Sequence, residues 1–426
     1  MKIALISARA DPFIPPVDVH GGTVLMLNLI KSLSKAGHEI DIFTRLDIDS
    51  ATESQERRFR AKRQEEEGGS AKKISENVSI HRLPYKSSGF EPQVWSTQLD
   101  ESTSFLINLR NYLDSNKYDV IHYFHLVSVA GWYKLGNTVP YVSKSTFSPL
   151  FLSVGRKFEK LSDERIADEK KILDEISFIS CQSNGEIETI KQYYNISLNK
   201  LIKVPLGVDT SLYFPKKNYE INDTTILVCP NSIKPQKKQL EVIHIVNELK
   251  VKGYKVRVMF IGNIIDETYF AEMNSLIEKC SLSALSCTPE PDRDEIINLN
   301  KDIIFVPCQE ESRLADYIRL ADVAVFPSTD EGFSLLNLNC MACGTLPVCS
   351  NIKEYSEYMR NGFNAVAVDI DRGYKGFIEE LELLLKNKEK INLLSKQSAE
   401  SAQYFSWDSL INKQLNVYAK LIGSKI

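Results

Sequence analysis

Short, continuous apolar runs alternate along this chain with longer stretches in which apolar residues recur every three or four positions. The continuous runs read as strands buried on both faces. In the first half they fall at 2–7, 39–44, 79–83, 119–124, 139–143, 177–181 and 201–205. The second half repeats them at 225–229, 255–261, 302–306, 322–327, 345–349 and 365–369. Between them, helical periodicity predicts amphipathic helices over 23–36, 103–116, 163–175, 240–251, 271–279, 336–342 and 375–385. Strands alternating with helices predict parallel sheets covered on both sides. The alternation occurs twice, on either side of a loop-like stretch at 206–223 that carries Gly207, Pro215 and several Asn and Asp residues. The expected fold class is therefore α/β, with two doubly wound Rossmann-like domains at 1–206 and 207–406.

One segment breaks the rhythm. Residues 51–77 hold Arg57, Arg58, Arg60, Lys62 and Arg63, then Glu65, Glu66 and Glu67, then Gly68, Gly69, Lys72 and Lys73. So little apolar surface predicts a solvated or mobile charged loop. The competing reading is that its basic residues receive an anionic acceptor.

Composition narrows the function classes. At ~150 residues per domain, 426 residues suit two or three domains. Fifty-two basic against 56 acidic side chains, a net charge of −4, argue against nucleic acid held by bulk positive charge. No run approaches the ~18 apolar residues of a membrane span. The first seven residues lack the apolar region and cleavage site of a signal peptide, so a cytoplasmic protein is expected. Eight cysteines, seven of them after residue 228, are too sparse for a disulfide scaffold and predict reduced thiols.

In an open parallel sheet, ligands bind beyond the carboxyl ends of the strands. After the first strand comes His20-Gly21-Gly22-Thr23 and then a helix. Paired glycines there let a ligand approach the backbone, and a helix N-terminus favours anions. The dinucleotide fingerprint G-x-G-x-x-G is missing from residues 1–40, which disfavours hydride transfer. The densest constellation runs from Phe326 to Gly344: a strand end, Glu331 in a loop with Gly332 and Phe333, then a helix starting near Leu335. Unpaired N–H groups at that helix start, at Ser334 and Leu335, would meet a diphosphate. Glu331 would accept hydrogen bonds from sugar hydroxyls, and Asn339, about a turn into the helix, would lie over the same site.

This stretch resembles the E-x7-E region of the retaining glycosyltransferases of GT-B fold, in particular glycosyltransferase family 4. Other segments agree: Gly37-His38-Glu39, Phe43-Thr44-Arg45, Asp119-Val120-Ile121-His122, Pro205-Leu206-Gly207-Val208-Asp209 with Phe214-Pro215, Ala321-Asp322-Val323 with Pro327-Ser328, and Phe405-Ser406-Trp407. The N-terminal half is most similar to sucrose-phosphate synthases and mycothiol-type N-acetylglucosaminyltransferases. The resemblance implies an acceptor domain at 1–206 facing a nucleotide-sugar domain at 207–406 across a cleft, with a last helix at about 407–426 crossing back. It implies transfer of a hexosyl or N-acetylhexosaminyl unit from a nucleotide diphosphate sugar, with uridine favoured, to an acceptor hydroxyl. Retention, no metal and no cofactor beyond the sugar nucleotide are implied as well. Glu331 and Lys237 are then the catalytic candidates. Gly21, Gly22, Ser232, Lys237, Gly332, Phe333, Ser334, Leu335 and Asn339 are the donor-binding candidates, and His122, His125, Thr146 and Arg156 the acceptor-side ones.

The departures are as specific as the matches. The second glutamate of E-x7-E is Asn339, whose amide has one acceptor oxygen for the two ribose hydroxyls. Ser232 stands where the family has an arginine five residues before its lysine, here Lys237; Lys234 and Lys238 are the residues that could compensate. Thr146 lies near the position of a family histidine. These three substitutions motivate the alternative function, a catalytically degenerate protein binding sugar or polypeptide as an accessory subunit. Three D-x-D triplets, at 47–49, 292–294 and 369–371, and one C-x-x-C, Cys340 to Cys343, read as chance turns and buried thiols and not as metal sites. Gly155-Arg156-Lys157-Phe158, after an apolar run at 149–154, reads as an acceptor-side loop, with peripheral membrane contact as the weaker alternative.

Overall fold

The computed structural model describes residues 1–8, 11–13, 21–48, 50, 53, 55–66, 68–87, 95–135, 162–176, 178–217, 219, 223–287, 296, 299–307, 311–329, 331 and 333–421. The chain divides into two compact units, Met1–Leu206 with Trp407–Ile426, and Gly207–Ser406.

In the first unit the strands are β1 (Lys2–Ser7), β2 (Glu39–Arg45), β3 (Ala71–Ser75), β4 (Val78–Leu83), β5 (Val120–Tyr123), β6 (Ile179–Cys181) and β7 (Leu201–Lys203). Five form one sheet in the order β3-β4-β2-β1-β5, while β6 and β7 pair separately. The wholly apolar Ile3–Ile6 of β1 is sealed at 0% exposure, as a strand covered by helices on both faces must be. Helices Trp95–Ser115 and Val127–Lys134 pack so closely that a Cβ on Gly131 would lie 2.4 Å from the Thr103 nitrogen, so only glycine fits there. The terminal helix Trp407–Leu421 joins this unit, with the ring of Tyr418 fully buried.

The second unit holds β8 (Thr225–Cys229), β9 (Val256–Ile261), β10 (Ala284–Ser286), β11 (Ile303–Val306), β12 (Val323–Phe326), β13 (Leu346–Ser350) and β14 (Val366–Val368). They form one seven-stranded sheet, β10-β11-β9-β8-β12-β13-β14, parallel throughout. From β8 the chain moves outward to β9 and to β10 at the edge, fills the place between them with β11, then crosses to β12 and winds the other way. The switch point lies between β8 and β12.

Three expectations change. Residues 51–77 are not an unpacked loop, because they carry the helix Gln55–Glu66 and strand β3, which runs antiparallel to β4 at the sheet edge. Buried charge takes the place of buried carbon there. Arg60 Nε donates to Asp47 at 2.9 Å, Arg57 forks onto Glu101 at 2.9 and 3.1 Å and reaches Glu53 at 3.2 Å, and Arg82 Nε meets Asp11 at 2.7 Å. Arg45 lies 3.2 Å from Asp47, so four guanidinium groups face four carboxylates. Among the described residues of the segment, the buried guanidinium groups of Arg57 and Arg60 are each paired with carboxylates. Second, the helix expected from 103 begins at Trp95, because Gln98 and Ser102 are buried without giving an apolar stripe. Third, helices Asn184–Tyr194, Glu311–Leu320 and Lys388–Gln403 add to those expected. The strand expected at 139–143 lies outside the described residues.

Candidate functional site

The site grows from the loops at the carboxyl ends of β8 and β12. After β8 the chain turns through Asn231 and Ser232, makes a single 3-10 turn over Pro235–Lys237, and enters the helix Gln239–Val251 through Lys238 in the left-handed region, φ 53°. Buried Gln239 donates to the Ser232 carbonyl at 2.9 Å and pins the loop from inside. From the neighbouring strand β9, Gly262 lies so close to this loop that a Cβ would sit 2.4 Å from the Asn231 carbonyl oxygen; its φ of +154° also suits glycine alone.

After β12 come Pro327, Ser328 and the loop to Glu331. Ser328 is fully buried, and its hydroxyl finds no partner among the described residues. Glu331 is 8% exposed, and Lys237 Nζ donates to its Oε1 at 2.5 Å. Two loops from neighbouring strands therefore deliver one carboxylate and one ammonium to the same point. Phe333 is buried, and the helix Leu335–Ala342 follows.

The residue before that helix carries its chemistry in the backbone. Ser334 is left-handed, φ 56° and ψ 73°, a conformation that costs a non-glycine residue roughly 1–2 kcal/mol. A left-handed residue followed by a helical one turns successive N–H groups inward, which makes an anion-binding concavity. Here it is formed by Ser334, Leu335 and Leu336. It coincides with the first turn of a helix, whose N–H groups have no intrahelical acceptor. Asn339, four residues after Leu335 and hence on the same helix face, is buried at 4% exposure.

The structure thus joins Lys237 to Glu331 in one unit, with Ser232 in the loop that carries Lys237 and with Phe333, Ser334, Leu335 and Asn339 following Glu331 along the chain. Of the residues that could stand in for the absent arginine, Lys238 is paired with Glu241 at 3.2 Å, and Lys234 caps the short turn and is half-buried. Gly21 and Gly22 open the helix Gly21–Lys35 in the other unit. Gly332, Thr146 and Arg156 lie outside the described residues.

His122 is corrected. Its ring is wholly buried, stacked on Phe124 at 4.3 Å, with Nδ1 2.6 Å from the Tyr418 hydroxyl, and burial holds it well below the usual histidine range. A neutral ring sealed in the core serves packing and meets no acceptor. His125, in the turn after β5 with φ 66°, is half-buried.

Sequence reading missed Gln239 and Gly262. A glycine directly after a strand that is apolar but for Arg257 was the available signal for Gly262. Among the described residues no group of three or more His, Cys, Asp or Glu could hold a metal ion. The C-x-x-C thiols are buried, and burial pushes Cys343 up to about 12. No helix among the described residues is long and apolar enough to cross a membrane.

Comparison with known proteins identifies the fold. The family described as Glycosyltransferase Family 4 matches residues 19–212, and that described as Glycosyl transferases group 1 matches residues 214–401. D-inositol 3-phosphate glycosyltransferase of Corynebacterium aurimucosum is 22% identical over 444 residues, covering 100% of this chain and 97% of that protein. Its counterpart in Xylanimonas cellulosilytica is 23% identical over 441 residues, covering 98% and 96%. Among solved structures, sucrose-phosphate synthase from Thermosynechococcus elongatus superimposes with a TM-score of 0.77 at 18% identity over 99% of both chains. HepE of Anabaena, solved in complex with UDP, gives 0.72 at 12% identity over 99% of this chain and 100% of that one. The fold is that of the GT-B glycosyltransferases.

Proposed function

This chain belongs to the GT-B, family 4-like glycosyltransferases, and from that premise we propose that it moves a hexosyl or N-acetylhexosaminyl unit from a nucleotide diphosphate sugar to an acceptor hydroxyl. The donor is a UDP-sugar, the anomeric configuration is retained, and no metal takes part. The reaction runs in the cytoplasm, in keeping with the seven unpaired cysteines among the described residues.

The observation that carries this reading is the meeting of Lys237 and Glu331 beside the concavity of backbone N–H groups at Ser334 to Leu336. Breaking the bond to the sugar leaves negative charge on the diphosphate. Fixed N–H groups aimed at that charge need no reorganisation as it develops, and such preorganisation is commonly the largest catalytic contribution. Lys237 adds a mobile full charge. On donor binding it divides its hydrogen bonds between Glu331 and the leaving phosphate, while the second oxygen of Glu331 accepts from sugar hydroxyls. No side-chain nucleophile is needed on this path.

Lys237→Ala and Glu331→Ala should each lower turnover at least about a hundredfold with the fold intact, the scale seen when one preorganised donor to a developing anion is removed. A mass-spectrometric donor screen followed by steady-state kinetics measures this. Near-wild-type turnover in either variant would remove the mechanism. Asn339 and Ser232 favour one second reading, an accessory subunit that binds sugar or polypeptide without catalysis. Calorimetry against uridine, guanosine and adenosine diphosphates separates the two, since silence across the panel leaves only the accessory role.

A further inference from the structure

A left-handed serine at a phosphate loop needs something to hold it there, and the structure supplies a residue from another element. Tyr358 follows the short 3-10 turn Lys353–Glu357 beyond β13. Its hydroxyl donates to the Phe333 carbonyl oxygen at 2.7 Å and lies 3.2 Å from the Ser334 carbonyl oxygen. The ring is 5% exposed and packs on Phe333 with centroids 5.0 Å apart and on Phe405 at 6.0 Å.

Peptide planarity turns these contacts into a statement about the opposite side of the loop. In a trans peptide the C=O and the following N–H point in opposite directions. With the Phe333 and Ser334 carbonyls both drawn toward one hydroxyl, the N–H groups of Ser334 and Leu335 must point away from Tyr358. Those are the groups assigned above to the diphosphate. We propose that Tyr358 is a positioning residue for the donor diphosphate: by gripping two consecutive carbonyls it keeps Ser334 left-handed and its neighbouring N–H groups aimed at the phosphates. The inference rests on the donor-site reading and deepens it, adding a residue that touches no substrate. A tyrosine nineteen residues beyond Asn339 carries no sequence signal for such a role.

The geometry makes the effect selective. Losing the grip should weaken recognition of phosphate and leave recognition of base and ribose alone. Tyr358→Phe keeps the packed ring and deletes only the hydroxyl. Calorimetry on the full chain should show UDP and inorganic pyrophosphate binding about tenfold more weakly, the scale of one hydrogen bond, with uridine unchanged. Ser334→Gly added to Tyr358→Phe should recover part of the loss, because glycine takes positive φ without a clamp. Near-UV circular dichroism and melting temperature report whether each variant is folded. Unchanged UDP binding in Tyr358→Phe overturns the inference while the donor reading stands, as does an equal loss for UDP and uridine. A wild-type chain that binds no nucleoside diphosphate overturns both.

Discussion

The ammonium of Lys237 is already engaged before any substrate arrives, since Glu331 holds it at 2.5 Å in a pair only 17% and 9% exposed at the side chains. The carboxylate therefore competes with an incoming diphosphate for the same charge. Replacing Glu331 by Gln removes the competitor but keeps an acceptor oxygen of the same shape. Free nucleoside diphosphate should then bind several-fold more tightly, because two like-signed groups no longer contend for one cation. Turnover should fall about a hundredfold, because the amide cannot accept charge-assisted bonds from the sugar. Calorimetry with UDP beside initial-rate kinetics measures the two effects. Parallel loss of affinity and rate would show that Glu331 supports binding alone. Glu331 was legible in the sequence because its loop follows a strand, and Lys237 because it stands where the resembled family carries its lysine. Tyr358 was not, since its role is to fix the direction of backbone groups 24 and 25 residues earlier.

At the scale of elements, legibility followed the chemistry of what each element buries. Strands β8, β9, β12 and β13 stand within a residue or so of where apolar runs place them, because a strand covered on both faces has no polar alternative. The helix Gln55–Glu66 escaped notice because its buried side chains include Arg57, Arg60 and Gln64, which are satisfied by Glu101, Asp47 and Asp11 on other segments, with no apolar stripe to display. The helix Lys388–Gln403 hid in a similar way, burying Ser395, Ser398, Ala399 and Ala402 between its larger apolar residues. Helix Asn184–Tyr194 carries a different consequence. Its first turn is closed by Ser183, whose hydroxyl accepts from the Glu186 N–H at 3.1 Å, and by Glu186, which accepts from the Gln182 N–H at 2.6 Å. Burial pushes the Glu186 carboxyl up to about 8 against that hydrogen bond. A folded-state value above the ordinary 4.5 means that the folded form holds its proton longer than the unfolded one. The stabilising effect is complete below 4.5 and is lost as pH rises through about 8. Glu186→Gln keeps the acceptor and removes the titration. Its melting temperature should gain on that of wild type steadily from pH 5 to about 8.5. Parallel melting curves across that range would mean that Glu186 is not buried as a neutral acid.

At the scale of the whole molecule, the two units are stabilised by different things, and heat should separate them. Each closes its own apolar core: Phe105, Trp132 and Ile172 belong to one, Val246, Phe260 and Leu381 to the other. The chain passes between the units after Leu206 and again after Ser406, where Val208 donates to the Phe405 carbonyl at 2.8 Å. The terminal helix belongs by packing to the first unit although it is last in sequence, since Leu410, Tyr418 and Ala419 are buried and Tyr418 bonds His122 beneath β5. Removing that ring should leave a cavity and a histidine without its hydroxyl partner. Tyr418→Ala should therefore destabilise the first unit by about 3–5 kcal/mol, the usual cost of deleting a buried aromatic ring. The donor candidates Lys237, Glu331 and Ser334 lie in the second unit, so UDP at a hundredfold excess over its dissociation constant should stabilise that unit most, by about 2.7 kcal/mol, or roughly 5–10 °C. Differential scanning calorimetry should show two transitions, one lowered by Tyr418→Ala and the other raised by UDP. If both changes shift the same transition, either the terminal helix or the nucleotide has been assigned to the wrong unit.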